Sequence, residues 1–330
     1  EIAKFHPAYS KKLYINEIPE DKDKFIVLAS HSRIVKRNGA IDETAYHDIE
    51  WDRVIIDEGH VIKNKTSKIN KSARCLNSKI KWLLTATPVM NRMDEFVNMM
   101  GYLGVDKSEC QQNKLAVTKK YILRRTKQDI SKFDKKFELP NCNTDIVEVK
   151  FNEEEQELYN TMFQEARAEL KKMKQSEMQN NAFEALELLL RMRQICIHPQ
   201  LFYSGMARKR KLDEVYEWEH GSSKMNKMLE IVKEKPKEKT LIFCSFIQEM
   251  DIIQSELSSN NIKSVRLDGS MDTDDRNETV NTFNTDKNIP VFIIQIHTGG
   301  VGYNLQIATR VLITEPTWNP AIEYQAIGRA

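Results

Sequence analysis

Asp57 and Glu58 are adjacent carboxylates that close a short apolar run, Val54-Ile55-Ile56, and are followed at once by Gly59 and His60. The β-branched run reads as the end of a strand buried on both faces, as in a parallel sheet covered by helices. Ligands of open α/β sheets bind outside the carboxyl ends of the strands, so the pair belongs in a crevice and not in a core. There an aspartate can hold Mg²⁺ directly or through water, and a neighbouring carboxylate can orient the water that attacks a phosphate. The plain alternative is helix capping, because a helix start welcomes negative charge.

Other residues suit the same chemistry. A second strand pattern ends Thr85-Ala86-Thr87-Pro88, and the interval from Asp57 is long enough for one crossover helix and a return to the adjacent strand. That would stand the hydroxyls beside the acids, although Thr-Pro before a helix is also ordinary capping chemistry. Far along the chain, Gly299, Gly300 and Gly302 form a cluster that lets backbone approach a ligand or simply turns, and Gln325 and Arg329 fall one helical turn apart. An arginine carried on a separate domain is how arginine fingers stabilise phosphoryl-transfer charge.

These residues need elements to position them. A chain of 330 residues, 40% of them apolar, suggests roughly two domains with a core each. Its longest apolar runs, such as "VFIIQI", fall far short of the ~18 residues of a membrane span. Five scattered cysteines without a CxxC pair point to a reducing compartment and away from structural zinc. A net charge of +2 names no polyanion partner by itself. In the first part "FIVLAS", "WDRVIIDE" and "WLLTAT" read as strands between helix-like stretches, and the last hundred residues repeat the rhythm with "KTLIFCS", "SVRLDG", "VFIIQI" and "RVLITEP". Between them, about Glu153 to Gln200 has helix-forming composition with no glycine, and His198-Pro199 reads as its stop. From Gly205 to Lys239 the charge density, including Arg208 to Lys211, reads as an exposed connection or a phosphate-binding or nuclear-localisation patch. The acidic "DGSMDTDDRNE" lacks the glycine of a calcium loop and reads as a loop and helix start.

The ordered blocks "DEGH", "LLTATPVMN", "ILRRTK", "LLRMRQICIHP", "LIFCSF", "RLDGS", "TGGVGYNLQIA" and "WNPAIEYQAIGR" resemble the SWI/SNF-type branch of the superfamily two helicase-like ATPases, nearest to its DNA-repair and helicase-like transcription factor group. The resemblance implies an α/β fold of two RecA-like lobes with parallel sheets and a helical insertion between them. The expected boundaries are 1–138 for the first lobe, 139–222 for a linking strand, insertion and charged connection, and 223–330 for the second. ATP with Mg²⁺ is the implied cofactor and double-stranded DNA the implied partner, including nucleosomes or other protein–DNA complexes, with no membrane. The location follows the DNA: a nucleus or a viral replication compartment.

Residue by residue, the resemblance gives Asp57 the Mg²⁺, Glu58 the hydrolytic water and Arg329 the phosphates from the second lobe. His60, Thr85, Thr87, Gly300 and Gln325 are implied in ATP binding and coupling, and Ser30, Ser245, Phe246, Gly269, Thr298, Asn304 and Trp318 in DNA contact. Such contacts suit tracking along the backbone, which positions a protein without reading sequence. Glu315 and Thr317 depart from the family's Asp-Pro-Trp-Trp pattern, while Trp318 keeps its place.

No glycine of this chain is followed by lysine, so the family's phosphate-cradling loop is expected upstream of Glu1, and a second motif arginine beyond Ala330. The 330-residue piece alone is therefore expected not to hydrolyse ATP. Two functions of different class stand at this point: a DNA-dependent ATPase translocating on duplex DNA, and a non-hydrolysing DNA-binding scaffold. The intact Asp57, Glu58, Gln325 and Arg329 favour the motor, because a scaffold has no chemical need for them.

Overall fold

The computed structural model describes residues 12–20, 24–35, 44–86, 93–133, 142–172, 182–299 and 302–330. Contacts divide the chain into a first unit, Glu1–Cys142, and a second, Asn143–Ala330. Every strand pairing among the described residues is parallel, and the strands alternate with helices: an α/β fold.

In the first unit, β1 (Leu13–Ile15) pairs with β2 (Ile26–Leu28), and β3 (Trp51–Ile56) with β4 (Ser78–Leu83). The β3–β4 register runs from Trp51 against Ser78 to Ile56 against Leu83. This strand begins earlier than the apolar pattern alone predicts, because ladder pairing with β3 carries the polar start Ser78-Lys79 along. Helix α1 (Lys68–Cys75) joins the two strands, with the Ser67 hydroxyl capping it by accepting from Asn70 N at 3.2 Å. Helices α2 (Met93–Tyr102), α3 (Lys107–Gln112), α4 (Lys114–Tyr121) and α5 (Lys127–Phe133) follow. Ile56 packs with Ile62, Ala73, Met99 and Tyr102, so the end of β3 is fixed against α1 and α2.

The second unit opens with α6 (Glu153–Lys172) and α7 (Ala182–Ile197). Pro199 does not end the helical region: it starts α8 (Pro199–Arg210), with His198 Nδ1 accepting from Gln200 N at 3.1 Å as the cap. A proline at the first helical position loses only an N–H that has no partner there. Arg208, Lys209 and Arg210 form the last turn of α8, where cations complement the helix dipole. Helix α9 (Ser223–Glu234) then leads into β5 (Thr240–Cys244), α10 (Ile247–Ser259), β6 (Ser264–Leu267), α11 (Thr273–Thr285), β7 (Val291–Gln295), the short α12 (Ile296–Gly299), β8 (Arg310–Ile313) and α13 (Pro320–Ile327). The sheet order is β6-β7-β5-β8.

Side chains alternate across that sheet and divide its core in two. Ile242, Cys244, Val291 and Ile293 meet α9 and α10 through Met225, Met228, Leu229, Val232, Met250, Ile253 and Leu257. Leu241, Phe243, Phe292 and Ile294 meet Phe283 of α11 and Ala326 of α13 on the other face. Both faces are thus covered by helices, as a parallel sheet requires. The acidic stretch after β6 is a helix start, with Asp272 accepting from Asp274 N and Asp275 N at 2.9 Å each.

Candidate functional site

In the first unit the acids sit where β3 ends. Leu84 N donates to Ile56 O at 2.9 Å and Gly59 N to Leu84 O at 2.7 Å, so β3 leaves the ladder in a tight turn between them. Glu58 adopts a left-handed backbone, φ 48° and ψ 51°, a conformation that costs a non-glycine residue energy and is concentrated at functional turns. A Cβ on Gly59 would come within 3.1 Å of Leu83 Cβ and 3.4 Å of the Leu84 carbonyl oxygen, so a larger residue after the acids would press the end of β4 by a few tenths of an ångström.

Asp57 is exposed and its Oδ1 accepts from Glu58 N at 2.9 Å, which leaves the other oxygen for a hard cation. His60 Nδ1 lies 3.3 Å from Glu58 Oε2, and both atoms are buried without a hydrogen-bond partner. His31 Nε2 bonds the Asp57 carbonyl oxygen at 3.0 Å, and Ser30 joins the adjoining turn through Asn16 Oδ1 at 3.2 Å and Ser32 Oγ at 3.0 Å. Thr85 directly follows Leu84, the partner of Gly59. Thr87 lies outside the described residues.

A network that sequence reasoning did not single out holds this turn from behind. Asn70 Nδ2 donates to Ile62 O at 2.5 Å, and Arg74 donates to Asn70 Oδ1 at 2.9 Å, Gly101 O at 3.0 Å and Asn98 O at 2.8 Å. Asn98 Nδ2 in turn donates to Lys63 O at 3.1 Å. The turn after Glu58 is thereby tied to α1 and α2. The signal available in sequence was the Asn70–Arg74 spacing of one helical turn.

In the second unit Ser245, Phe246, Gly269 and Trp318 follow carboxyl ends of strands, and Thr298 lies in the short helix after β7. Gln295 Oε1 accepts from Gly269 N and from Thr298 Oγ1, each at 3.1 Å, joining two of the predicted residues. A Cβ on Gly269 would meet that oxygen at 3.4 Å. Arg266 donates to Asp268 Oδ2 at 2.7 Å and to Asp251 Oδ1 at 2.5 Å, while Asp268 Oδ1 accepts from Ser270. Beneath Ser245 and Phe246, Glu249 Oε2 accepts from both N–H groups at 3.0 and 3.2 Å. Burial pushes the Glu249 carboxyl up to about 7, against the pull of the Thr314 hydroxyl and these two N–H groups.

Asn304 is exposed and lies apart from the strand ends; its carbonyl accepts from Asn284 and its side chain caps Gln306 N. Gln325 lies in α13, and the Arg329 carbonyl after that helix accepts from Leu305 N at 3.1 Å. Gly300 lies outside the described residues. The departures Glu315 and Thr317 have distinct partners. Thr317 N and Oγ1 donate to Glu323 Oε1 at 2.6 and 3.1 Å. Buried Glu315 takes a two-point ion pair from Arg193 of α7, at 3.1 and 2.7 Å. Arg193 is the residue sequence reasoning missed most completely.

Sequence comparison agrees with these blocks. The SNF2-related domain profile matches residues 4–113 and 104–201, and the helicase conserved C-terminal domain profile matches 223–330. The chain is 28% identical over 296 residues to a probable global transactivator of Orgyia pseudotsugata multicapsid polyhedrosis virus, covering 84% of this chain and 58% of that protein. It is 24% identical over 420 residues to the helicase-like transcription factor of Mus musculus, covering 92% and 42%. With an ATP-dependent helicase of Mycoplasma genitalium it shares 30% identity over 352 residues, covering 94% and 32%. The chain thus spans between about a third and three-fifths of the length of these relatives. With the strand-end acids and an all-parallel second sheet in place, the chain belongs to the SNF2-related family, the SWI/SNF-type branch of the helicase-like ATPases.

Proposed function

We propose that the protein is a DNA-dependent ATPase that tracks along duplex DNA and remodels protein–DNA or repair structures. The observation that carries this reading is the acid turn: Asp57 and Glu58 at a strand's carboxyl end, with Glu58 in a left-handed backbone and Gly59 packed closely against Leu83 and bonded to Leu84. A turn needed only for capping has no reason to hold this geometry, and Glu58 makes no side-chain cap hydrogen bond.

Asp57 would hold Mg²⁺ through its uncommitted oxygen; when bound, the ion neutralises charge on the phosphate oxygens. Glu58, with a buried carboxylate oxygen lacking a hydrogen-bond partner, positions the attacking water and draws off its proton. His60, Thr85 and Thr87 follow the nucleotide state in the first unit. In the second unit, Arg329 would offset negative charge on a phosphate, and Gln325 and Gly300 are the further residues that the family resemblance assigns to the nucleotide. Ser30, Ser245, Phe246, Gly269, Thr298, Asn304 and Trp318 meet the duplex; among relatives, the mouse protein is described as a helicase-like transcription factor and an Arabidopsis thaliana one as a DNA repair protein. The protein then works wherever its DNA lies, in a nucleus or a viral compartment.

The test is ATP turnover by the full-length product of the gene, assayed with and without blunt duplex DNA. Stimulation by the duplex is expected. Equal turnover with and without DNA removes the DNA-dependent reading, and duplex binding with no turnover under either condition supports the scaffold instead.

A further inference from the structure

Trp318 projects with 72% of its surface exposed, yet the loop carrying it is held at nearly every neighbouring residue. Lys224 of α9 donates to the Thr314 carbonyl at 2.9 Å. Thr317 is bound by Glu323, and Asn319 caps α13 by accepting from Ala321 N at 3.0 Å. The remaining anchor comes from the helical region between the strand-rich parts of the sequence. Arg193 grips Glu315 with two nitrogens, and its guanidinium carbon lies 5.5 Å from the centre of the Trp318 ring. One side chain of α7 thus fixes both the base of the loop and the indole at its tip.

We propose that Arg193 is a positioning residue for Trp318: α7 sets the orientation of this indole through the Glu315 ion pair and the guanidinium–ring contact. The physical case rests on chemistry that only arginine supplies. Its planar fork matches a carboxylate at two points while its face remains free to stack on an aromatic ring, and a lysine can do one or the other. Glu315, one methylene longer than the aspartate of the related pattern, presents its carboxylate to Arg193 of α7. A single exposed tryptophan is unremarkable by itself. An exposed tryptophan whose loop is anchored by three separate helices is a preorganised contact, since the cost of ordering it is met before a ligand arrives. The DNA part of this inference rests on the reading of Trp318 as a duplex contact.

A double-mutant cycle tests it in the 330-residue chain, with Arg193→Lys, Trp318→Ala and the pair, reading duplex affinity by fluorescence anisotropy. Arg193→Lys is expected to weaken binding about three- to tenfold, the range of a partly exposed cation–ring contact. The double variant is expected to bind no more weakly than Trp318→Ala alone, because Arg193 acts through the indole. Where Trp318→Ala does weaken binding, additive losses, or no loss from Arg193→Lys, would overturn the proposal. Iodide quenching of tryptophan fluorescence separates it from the DNA reading. If Arg193 positions the ring, Arg193→Lys changes quenching, and the change disappears in the Trp318→Ala background. Should Trp318→Ala leave duplex affinity intact while that quenching change is present, the DNA reading fails and the positioning role stands; unchanged quenching sinks the positioning role. A thermal melt of each variant matching the parent excludes unfolding.

Discussion

The two units hold their strand ends by different means. In the second, four parallel strands have helices on both faces, and every residue of β5 is buried. In the first, the described strands form two separate pairs, and Ile55, Ile80 and Trp82 of β3 and β4 are 42–49% exposed. Parallel strands are ordinarily buried on both faces. The acid turn is held by its bonds to Leu84 just past β4 and by the Asn70–Arg74–Asn98 network that grips it from α1 and α2. The second unit's loops stand on a packed core, with buried polar ties added at Glu249 and Glu315. Positioning by hydrogen bonds is sensitive to single polar substitutions, and positioning by packing to single cavities.

That contrast is broken most severely by a cavity. Phe292→Ala in β7, where the ring is fully buried against Phe283, is expected to cost about 3–5 kcal/mol. Trp82→Ala in β4 removes a larger ring that is 47% exposed, and should cost about 1 kcal/mol or less in denaturant unfolding. Comparable losses would show that the first unit's sheet face is covered in solution.

Arg74→Leu comes next. It strips donors from Asn70 Oδ1 and from the carbonyls of Asn98 and Gly101, and is expected to cost about 2–3 kcal/mol. Amide hydrogen exchange should quicken around residues 59–63 and 98–101 and stay unchanged in β5 and β7. Faster exchange throughout the second unit would contradict the division of labour.

A smaller effect belongs to Glu249. Its folded pKa, about 7, lies above the ordinary 4.5, so folding favours its protonated form. The associated stability is present in full below about 4.5 and is lost as pH rises through about 7. Glu315 nearby carries like charge, while the Ser245 and Phe246 N–H groups supply the opposing hydrogen bonds. Glu249→Gln keeps an acceptor for the two N–H groups without a buried charge. The second unit of the variant should melt higher than the parent at pH 8, with the difference shrinking toward pH 5. A pH-independent difference would mean that Glu249 titrates normally.

Much of this architecture was legible beforehand, for identifiable reasons. Parallel strands announce themselves as β-branched or aromatic runs, so β3, β5, β7 and β8 stood out at once; the expected burial of Val54-Ile55-Ile56 on both faces holds only for Ile56, since Ile55 is 49% exposed. The start of β4 did not, because Ser78 and Lys79 belong to the strand through pairing and not through their own character. Pro199 read as a stop because proline excludes a helix interior; it turned out to occupy the one helical position where it costs nothing. The acids at the end of β3 could be placed from sequence, since a strand end in a parallel sheet fixes its neighbours within a few ångströms. The Arg193–Glu315 pair could not be, because its members are 122 positions apart and neither lies in a pattern that points to the other. Local periodicity carries information about faces, and it carries none about which distant charge a face will meet.

The central claim is that the acid turn hydrolyses a nucleotide under the control of DNA. Its most direct test is ATP turnover by the full-length gene product with saturating duplex DNA, comparing the parent with Glu58→Gln, with nucleotide binding measured alongside. A loss of about 10²- to 10⁴-fold in turnover with ATP still bound is the predicted result, the usual contribution of a positioned general base. Turnover that survives Glu58→Gln unchanged would contradict the account and move the chemistry away from this turn.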